Sequence, residues 1–188
     1  MKQSLFTMEH ARQLTADTYE LVLSGDTSAI TAPGQFVNIQ LPGKFLRRPI
    51  SICNWTKDAL LLLVRVVGEG THDLVRCVPG TELDVLSGLG NGFDLAKGGA
   101  HPILLGGGIG IAPLYGLAQR MLEAGIAPTV GLGFRSGGDA FYLEEFGKLG
   151  CRLMVATEDG SLGTKGFVTD LARHVPECGY AFVCGPTP

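Results

Sequence analysis

Residues 101–121, HPILLGGGIGIAPLYGLAQRM, carry the clearest chemistry in the chain. An apolar run meets three consecutive glycines, Gly106, Gly107 and Gly108, then passes through Ile109 and Gly110 into a helix-like pattern. Without a Cβ, such a turn lets backbone N–H groups and a helix N-terminus come close to a phosphate. The plain alternative, a tight strand-to-helix turn with no ligand, needs fewer glycines than this run contains. The spacing is not that of G-x-G-x-x-G, because Ile111 stands where the third glycine belongs. The run therefore implies a nucleotide without naming it.

A second constellation lies upstream. Arg48, Pro49, Ile50 and Ser51 place a fixed cation and a hydroxyl on one strand, three residues apart. An arginine pairs with a diphosphate, and a serine hydroxyl reaches a ring nitrogen. Leu63, Val64 and Arg65 close the next strand, and Gly70 with Thr71 opens a helix whose N-terminus is a further seat for phosphate. Singly, Arg48 and Arg65 read as surface ion-pair residues and Ser51 as a polar residue on a strand face; together they read as a ligand site. Cys184, Gly185 and Pro186 end the last strand. No basic partner that would make a thiolate of Cys184 is visible, so it is not read as a nucleophile.

The segment TEDGSLGTKGFVTD, residues 157–170, follows a strand at the edge where open α/β sheets bind ligands. It reads equally as a helix entry loop capped by Thr164. Glu158 or Asp159 can accept from a ribose hydroxyl, whereas Arg135 and Ser136 can meet a 2′-phosphate. Nucleotide preference stays open between them.

Two kinds of element must position these residues. Up to residue 97 the chain reads as β-rich runs separated by turns: SLFTMEHARQL, TYELVLSG, GQFVNIQL, RPISICNW, ALLLLVRVV and TELDVLSG. Such spacing predicts an antiparallel barrel or sandwich, interrupted by a helix over residues 71–78 with Thr71 as its N-cap. From His101 onward strands and helices alternate, including a helix in TKGFVTDLARHV, which predicts a parallel sheet covered by helices. The small AKGGA stretch, residues 96–100, marks a boundary between a domain over 1–97 and another over 98–188.

The 188 residues are 45% hydrophobic, enough for packed cores. A net charge of −3, with Lys44, Arg47 and Arg48 as the only basic cluster, argues against a nucleic-acid partner. The longest fully apolar run, residues 59–64, is far short of the roughly 20 needed to cross a bilayer, and no signal-peptide core opens the chain. These features predict a cytoplasmic protein without a membrane partner. The five cysteines, at 53, 77, 151, 178 and 184, are odd in number and form no C-x-x-C pair, and the histidines are scattered. No disulfide framework or metal site is expected from them.

Taken in order, RPIS, LVR, GEGT, GLGNGF, LLGGGIGIAPL and CGPTP resemble the ferredoxin–NADP reductase superfamily over the whole chain. Within it, RRPISI, VVGEGT, LSGLGNGF, GGGIGIAPL and TEDGSLGTKGFVTD are most similar to the electron transfer subunits of NAD-linked bacterial dihydroorotate dehydrogenases. The resemblance implies a two-domain fold: an N-terminal six-stranded antiparallel Greek-key β-barrel that binds FAD and a C-terminal α/β parallel-sheet domain that presents NAD(H). It implies that Arg48, Pro49, Ile50 and Ser51 hold the flavin ring and pyrophosphate, with Ser51 near N5. Leu63, Val64 and Arg65 would line the ribityl and adenine side, and Gly70 and Thr71 would bind pyrophosphate through their amides. Gly106, Gly107, Gly108, Ile109 and Gly110 would face the nicotinamide nucleotide, closed by Cys184, Gly185 and Pro186. No residue of this chain would oxidise substrate. The resemblance further implies an FMN-containing dihydroorotate dehydrogenase catalytic subunit as partner, in a heterotetramer, and a [2Fe–2S] cluster on a cysteine group of a longer gene product. Two other readings stay open: a related reductase module that shares these motifs, such as a sulfide dehydrogenase or NADH-dependent ferredoxin–NADP oxidoreductase subunit, and, of another class, a non-catalytic regulatory module that binds nucleotide but no flavin.

Overall fold

A computed structural model describes residues 1–186 of the chain. Thr187 and Pro188, the end of the CGPTP motif, lie outside the described residues. The chain divides into two compact units, Met1–Gly92 and Phe93–Pro188. The AKGGA stretch falls within the second, where Leu95–Gly98 forms a 3-10 turn capped by the Asp94 carboxylate on the amide of Ala96.

The six β-rich runs of the first unit become β1 (Lys2–Gln13), β2 (Thr18–Gly25), β3 (Phe36–Gln40), β4 (Arg48–Trp55), β5 (Ala59–Arg65) and β6 (Glu82–Leu89). They close into a barrel in the order β1-β2-β5-β4-β3-β6, with every neighbouring pair antiparallel. The run β3, β4, β5 is joined by hairpins while β6 returns beside β3, so the connection is a Greek key. Closure leaves no free sheet edge. The strands deliver buried residues at every second position, such as Phe6 and Met8, Val37 and Ile39, Ile50 and Ile52, and Leu60, Leu62 and Val64, which meet in one core.

The helix α1 (Glu69–Val75) follows β5 and adds Leu74 and Val75 to that core. It begins earlier than the spacing predicts, with Gly68 rather than Thr71 as N-cap. Thr71 sits at the third helical position and caps from within, its Oγ1 accepting from the amides of Val67 and Gly68 at 3.0 and 3.3 Å. A threonine just before a helical pattern looks the same in sequence in either position.

In the second unit the parallel strands β7 (Pro102–Gly107), β8 (Thr129–Phe134), β9 (Arg152–Thr157), β10 (Thr164–Lys165) and β11 (Tyr180–Cys184) are ordered β10-β9-β8-β7-β11. The interior strand β7 is buried along nearly all its length, as a strand covered on both faces must be. On one face α2 (Ala112–Glu123) buries Leu114, Leu117, Ala118 and Met121 at helical spacing. Tyr115 of α2 packs edge-on against Phe146 of α3 (Leu143–Leu149), ring centres 5.2 Å apart.

The other face is covered differently from expectation. TKGFVTDLARHV is not an α-helix; its first residues pair with β9 and Val168–His174 winds as a 3-10 helix. Thr164 lies opposite Ala156 in the sheet and caps nothing. The cause is close packing onto β8. A Cβ on Gly133 would stand 2.5 Å from Val168 Cβ, and one on Gly131 would stand 3.2 Å from Leu171 Cδ1. The segment thus lies almost flat on the glycines of β8, with Leu171 and Val175 joining Ile103 and Leu105 in the core.

Among the described residues, no helix is long and apolar enough to cross a membrane.

Candidate functional site

In the first unit the structure brings Arg48 to Gly70. An ideal Cβ on Gly70 would lie 1.7 Å from Arg48 Nε and 2.5 Å from Cζ, so the guanidinium rests on the start of α1 in space that only glycine leaves free. The other members of the basic cluster are engaged with acids. Lys44 pairs with Glu69 and Asp73 of α1 at 3.1 and 3.0 Å. Arg47 pairs with Asp84 at 2.8 Å and also donates to the Asp84 carbonyl. Arg48 donates to the Leu46 carbonyl at 2.6 Å and, among the described residues, has no carboxylate partner. A guanidinium without a counter-charge beside helix-start amides is chemically ready for an anion such as a diphosphate.

The rest of that constellation separates. Ile50 turns into the barrel core, whereas Pro49 and Ser51 are exposed, because side chains alternate across a strand. Arg48 and Ser51, of opposite parity, therefore do not share a face. Leu63 and Val64 are buried at 2% and 1% exposure, and Val64 belongs to the core, which leaves its backbone as the part available to a ligand. Arg65 donates from Nε to Asp17 Oδ2 at 2.7 Å. Burial raises the Asp17 carboxyl, but hydrogen bonds from Thr18 and Arg65 outweigh it and hold the group below its ordinary value. Arg65 is thus an ion-pair residue joining the start of β2 to the end of β5. Thr71 spends its hydroxyl on the cap described above.

In the second unit the strand order reverses between β7 and β11: the chain goes outward from β7 through β8, β9 and β10, then returns to the other side of β7. Open α/β sheets bind ligands at the carboxyl ends beside such a switch point. Here those ends carry the glycine turn and the Cys184, Gly185, Pro186 segment, and Cys184 is in register with Gly106.

The glycines of the turn divide into two kinds. Gly106 and Gly110 are buried and required by packing: a Cβ on Gly106 would lie 2.9 Å from Ile111 Cγ1, and one on Gly110 only 2.4 Å from the Cys184 carbonyl oxygen. Gly107 and Gly108 are half-exposed. A Cβ on Gly107 would make ordinary contact with Pro186 at 3.7 Å, and one on Gly108, at φ +51°, would meet nothing within 4 Å. Ile109 beside them is half-buried. The first pair lets β7, α2 and β11 converge, and the second pair leaves backbone open to a ligand at the amino end of α2.

Cys184 is also half-buried, and burial pushes its thiol above the ordinary value, so at neutral pH it presents S–H rather than thiolate. Asp139 is a residue the sequence reading missed. It follows Arg135 across the 3-10 turn Gly137–Asp139 and accepts from both Arg135 and Ser136. Ser161 was likewise overlooked; its hydroxyl accepts from the Gly137 amide at 2.7 Å and donates to Asp159 at 2.6 Å, tying the loops after β8 and β9 together.

No family model matches the chain. Curated relatives do. It is 42% identical over 196 residues to "Dihydroorotate dehydrogenase B (NAD(+)), electron transfer subunit" of Shouchella clausii, spanning all of this chain and 75% of the relative. The protein of the same description from Listeria monocytogenes is 40% identical over 194 residues, or 99% of this chain and 76% of the relative. Among solved structures, that of the NADH-dependent reduced ferredoxin-NADP oxidoreductase superposes with a TM-score of 0.87 at 30% identity, covering 97% of this chain and 68% of its own. Near-complete coverage at this identity places the chain in the family of dihydroorotate dehydrogenase B (NAD(+)) electron transfer subunits.

Proposed function

We propose that a domain over residues 1–97, built on the first unit, binds FAD, that a domain over residues 98–188, within the second, binds NAD(H), and that the chain passes electrons between NAD and a separate dihydroorotate-oxidising subunit. The observation that carries this is the Arg48 guanidinium, free of carboxylate partners among the described residues and held against Gly70. When bound, the flavin supplies the ability to exchange two electrons as a hydride and to pass them singly.

The chain's own residues bind and orient. Arg48 neutralises a diphosphate, and the amides of Gly70 and Thr71 donate to it. Pro49 and Ser51 offer an exposed strand face to the ring, with the Ser51 hydroxyl as its polar contact, while Ile50 anchors that strand to the core. Leu63 and Val64 supply backbone and Arg65 the rim beside them. In the second unit Gly107 and Gly108 let the nicotinamide nucleotide approach the backbone, Gly106 and Gly110 fix the turn, and Ile109, Cys184, Gly185 and Pro186 wall the site. A hydride exchange asks these residues for position rather than for a catalytic acid or base.

The partner would be the FMN-containing catalytic subunit, joined in a heterotetramer in the cytoplasm. The residues present do not fit an iron–sulfur cluster: the cysteines occupy separate elements, and among the described residues no three potential metal ligands gather.

Purification and a visible spectrum test the reading. Flavin bands, released FAD on denaturation and bleaching by NADH are expected; a colourless protein that takes up no FAD on reconstitution would instead be a non-catalytic nucleotide-binding module. The likeness to the ferredoxin-NADP oxidoreductase favours a second reading, a reductase subunit serving another partner. A dihydroorotate dehydrogenase catalytic chain co-purifying with this one excludes it.

A further inference from the structure

The loop after β8 holds a small device that bears on which nucleotide the second unit accepts. Arg135 is the first residue beyond the carboxyl end of β8, next to the strand that carries the glycine turn. In nucleotide-binding sheets of this kind that end meets the ribose, where an arginine accommodates a 2′-phosphate and a carboxylate a free hydroxyl. Arg135 and Ser136 are therefore a ready phosphate pair.

Both are occupied by one carboxylate. Arg135 Nη2 lies 3.2 Å from Asp139 Oδ1, and Ser136 Oγ lies 3.1 Å from Asp139 Oδ2, so each oxygen of Asp139 takes one member of the pair. The 3-10 turn Gly137–Asp139 returns the carboxylate to the strand end, with the Asp139 amide donating to the Ser136 carbonyl at 3.1 Å. The neighbouring loop adds to the acidity. The Glu158 amide donates to the Phe134 carbonyl and the Asp159 amide to that of Arg135, which brings two further acidic residues to the same strand end. The Ser161 hydroxyl bridges Asp159 and the Gly137 amide and fixes the two loops to each other.

We propose that Asp139 is a positioning residue for nucleotide choice: by taking Arg135 and Ser136 on its two oxygens it denies them to a 2′-phosphate, so that the site favours a nucleotide with a free 2′-hydroxyl. This rests on the reading that the second unit binds NAD(H). Arg135 is 62% exposed, and an exposed ion pair is weak. The discrimination therefore comes from charge cancellation: with Asp139 beside it, Arg135 offers a 2′-phosphate no net positive charge. A ribose hydroxyl pays no such penalty, since it can donate to a carboxylate.

The experiment is calorimetric titration of the full chain with ADP-ribose and with 2′-phospho-ADP-ribose, a readout independent of flavin and of turnover. Asp139→Asn keeps the shape and removes the charge; the ratio of the two affinities is expected to move toward the phosphorylated ligand by about tenfold. Asp139→Glu should preserve the wild-type preference, and adding Arg135→Ala to Asp139→Asn should abolish the shift. An unchanged ratio in Asp139→Asn, or a shift that survives removal of Arg135, overturns the proposal while leaving NAD(H) binding intact. If wild-type chain binds neither ligand, the nucleotide reading itself falls and this proposal with it.

Discussion

The Arg48 guanidinium lies where a Cβ on Gly70 would be, 1.7 Å from the ideal position at its Nε. The two residues come from a strand and a helix more than twenty positions apart, and their contact makes the diphosphate seat proposed for the barrel. Replacing Arg48 with alanine should weaken FAD retention by about 2–4 kcal/mol, the scale of a lost charge-assisted contact with the phosphate left unpaired. Gly70→Ala should lower flavin affinity too, by displacing the far end of a flexible side chain, with little change in the melting temperature of the flavin-free protein. Flavin content after dialysis, measured for both variants, checks this; full retention in Arg48→Ala removes that residue from the site.

The glycine turn should respond unequally along its length. Gly110→Ala drives a Cβ onto the rigid Cys184 carbonyl at 2.4 Å and should cost about 1–3 kcal/mol or more in folding stability, as overpacking does. Gly108→Ala meets no neighbouring atom and carries only the left-handed backbone cost at φ +51°, about 1 kcal/mol. Its larger effect should be on nucleotide affinity. Urea unfolding beside ADP-ribose titration separates the two; equal folding losses would contradict the division of roles.

Acid stability should depend on Arg47 and Asp84. The hydrogen bond from Arg47 holds the Asp84 carboxyl below its ordinary 3.8 despite burial, with Gln3 adding a second bond. A depressed carboxyl contributes stability that is present above that ordinary value and lost as pH falls through the lower folded one. Asp84→Asn should therefore flatten the fall in stability on acidification below about pH 4. Arg47→Ala should cost about 1–2 kcal/mol at neutral pH, at the lower end for a charged hydrogen bond because both side chains are partly exposed. An acid limb of unchanged slope in Asp84→Asn would show the pair to be silent.

Cys184 should be a slow thiol. Burial pushes its pKa above the ordinary 9.0, so little thiolate exists near neutrality. Iodoacetamide labelling resolved by peptide mass spectrometry should find it less reactive at pH 7 than free cysteine, with a rate that climbs toward alkaline pH. Rapid labelling at pH 7 would reveal an activating charge and overturn this assignment.

The strands were legible because their signal is local. Alternation in runs such as TYELVLSG and the unbroken apolar PILLGG are written by period and burial, and both become strands where expected. The segment TKGFVTDLARHV failed because its helical spacing says nothing of what it packs against; the glycines at 131 and 133 on another strand let it lie flat as a 3-10 helix. Thr71 misled for a similar reason, since a hydroxyl can cap a helix from its third residue as readily as from its cap position.

By itself the sequence determined the class of the protein: a β-rich half, an alternating half and an ordered set of short motifs, all properties of residue types at short spacing. Tertiary structure decided which members of those motifs meet. It divided the glycine run into packing and open positions, tied Arg65 to Asp17, left Arg48 without a carboxylate among the described residues and closed Asp139 over Arg135 and Ser136. Each of these outcomes turns on where a backbone or a charge arrives from a distant part of the chain or from the turn of a loop. Such arrivals are set by packing geometry, which no short-range pattern encodes.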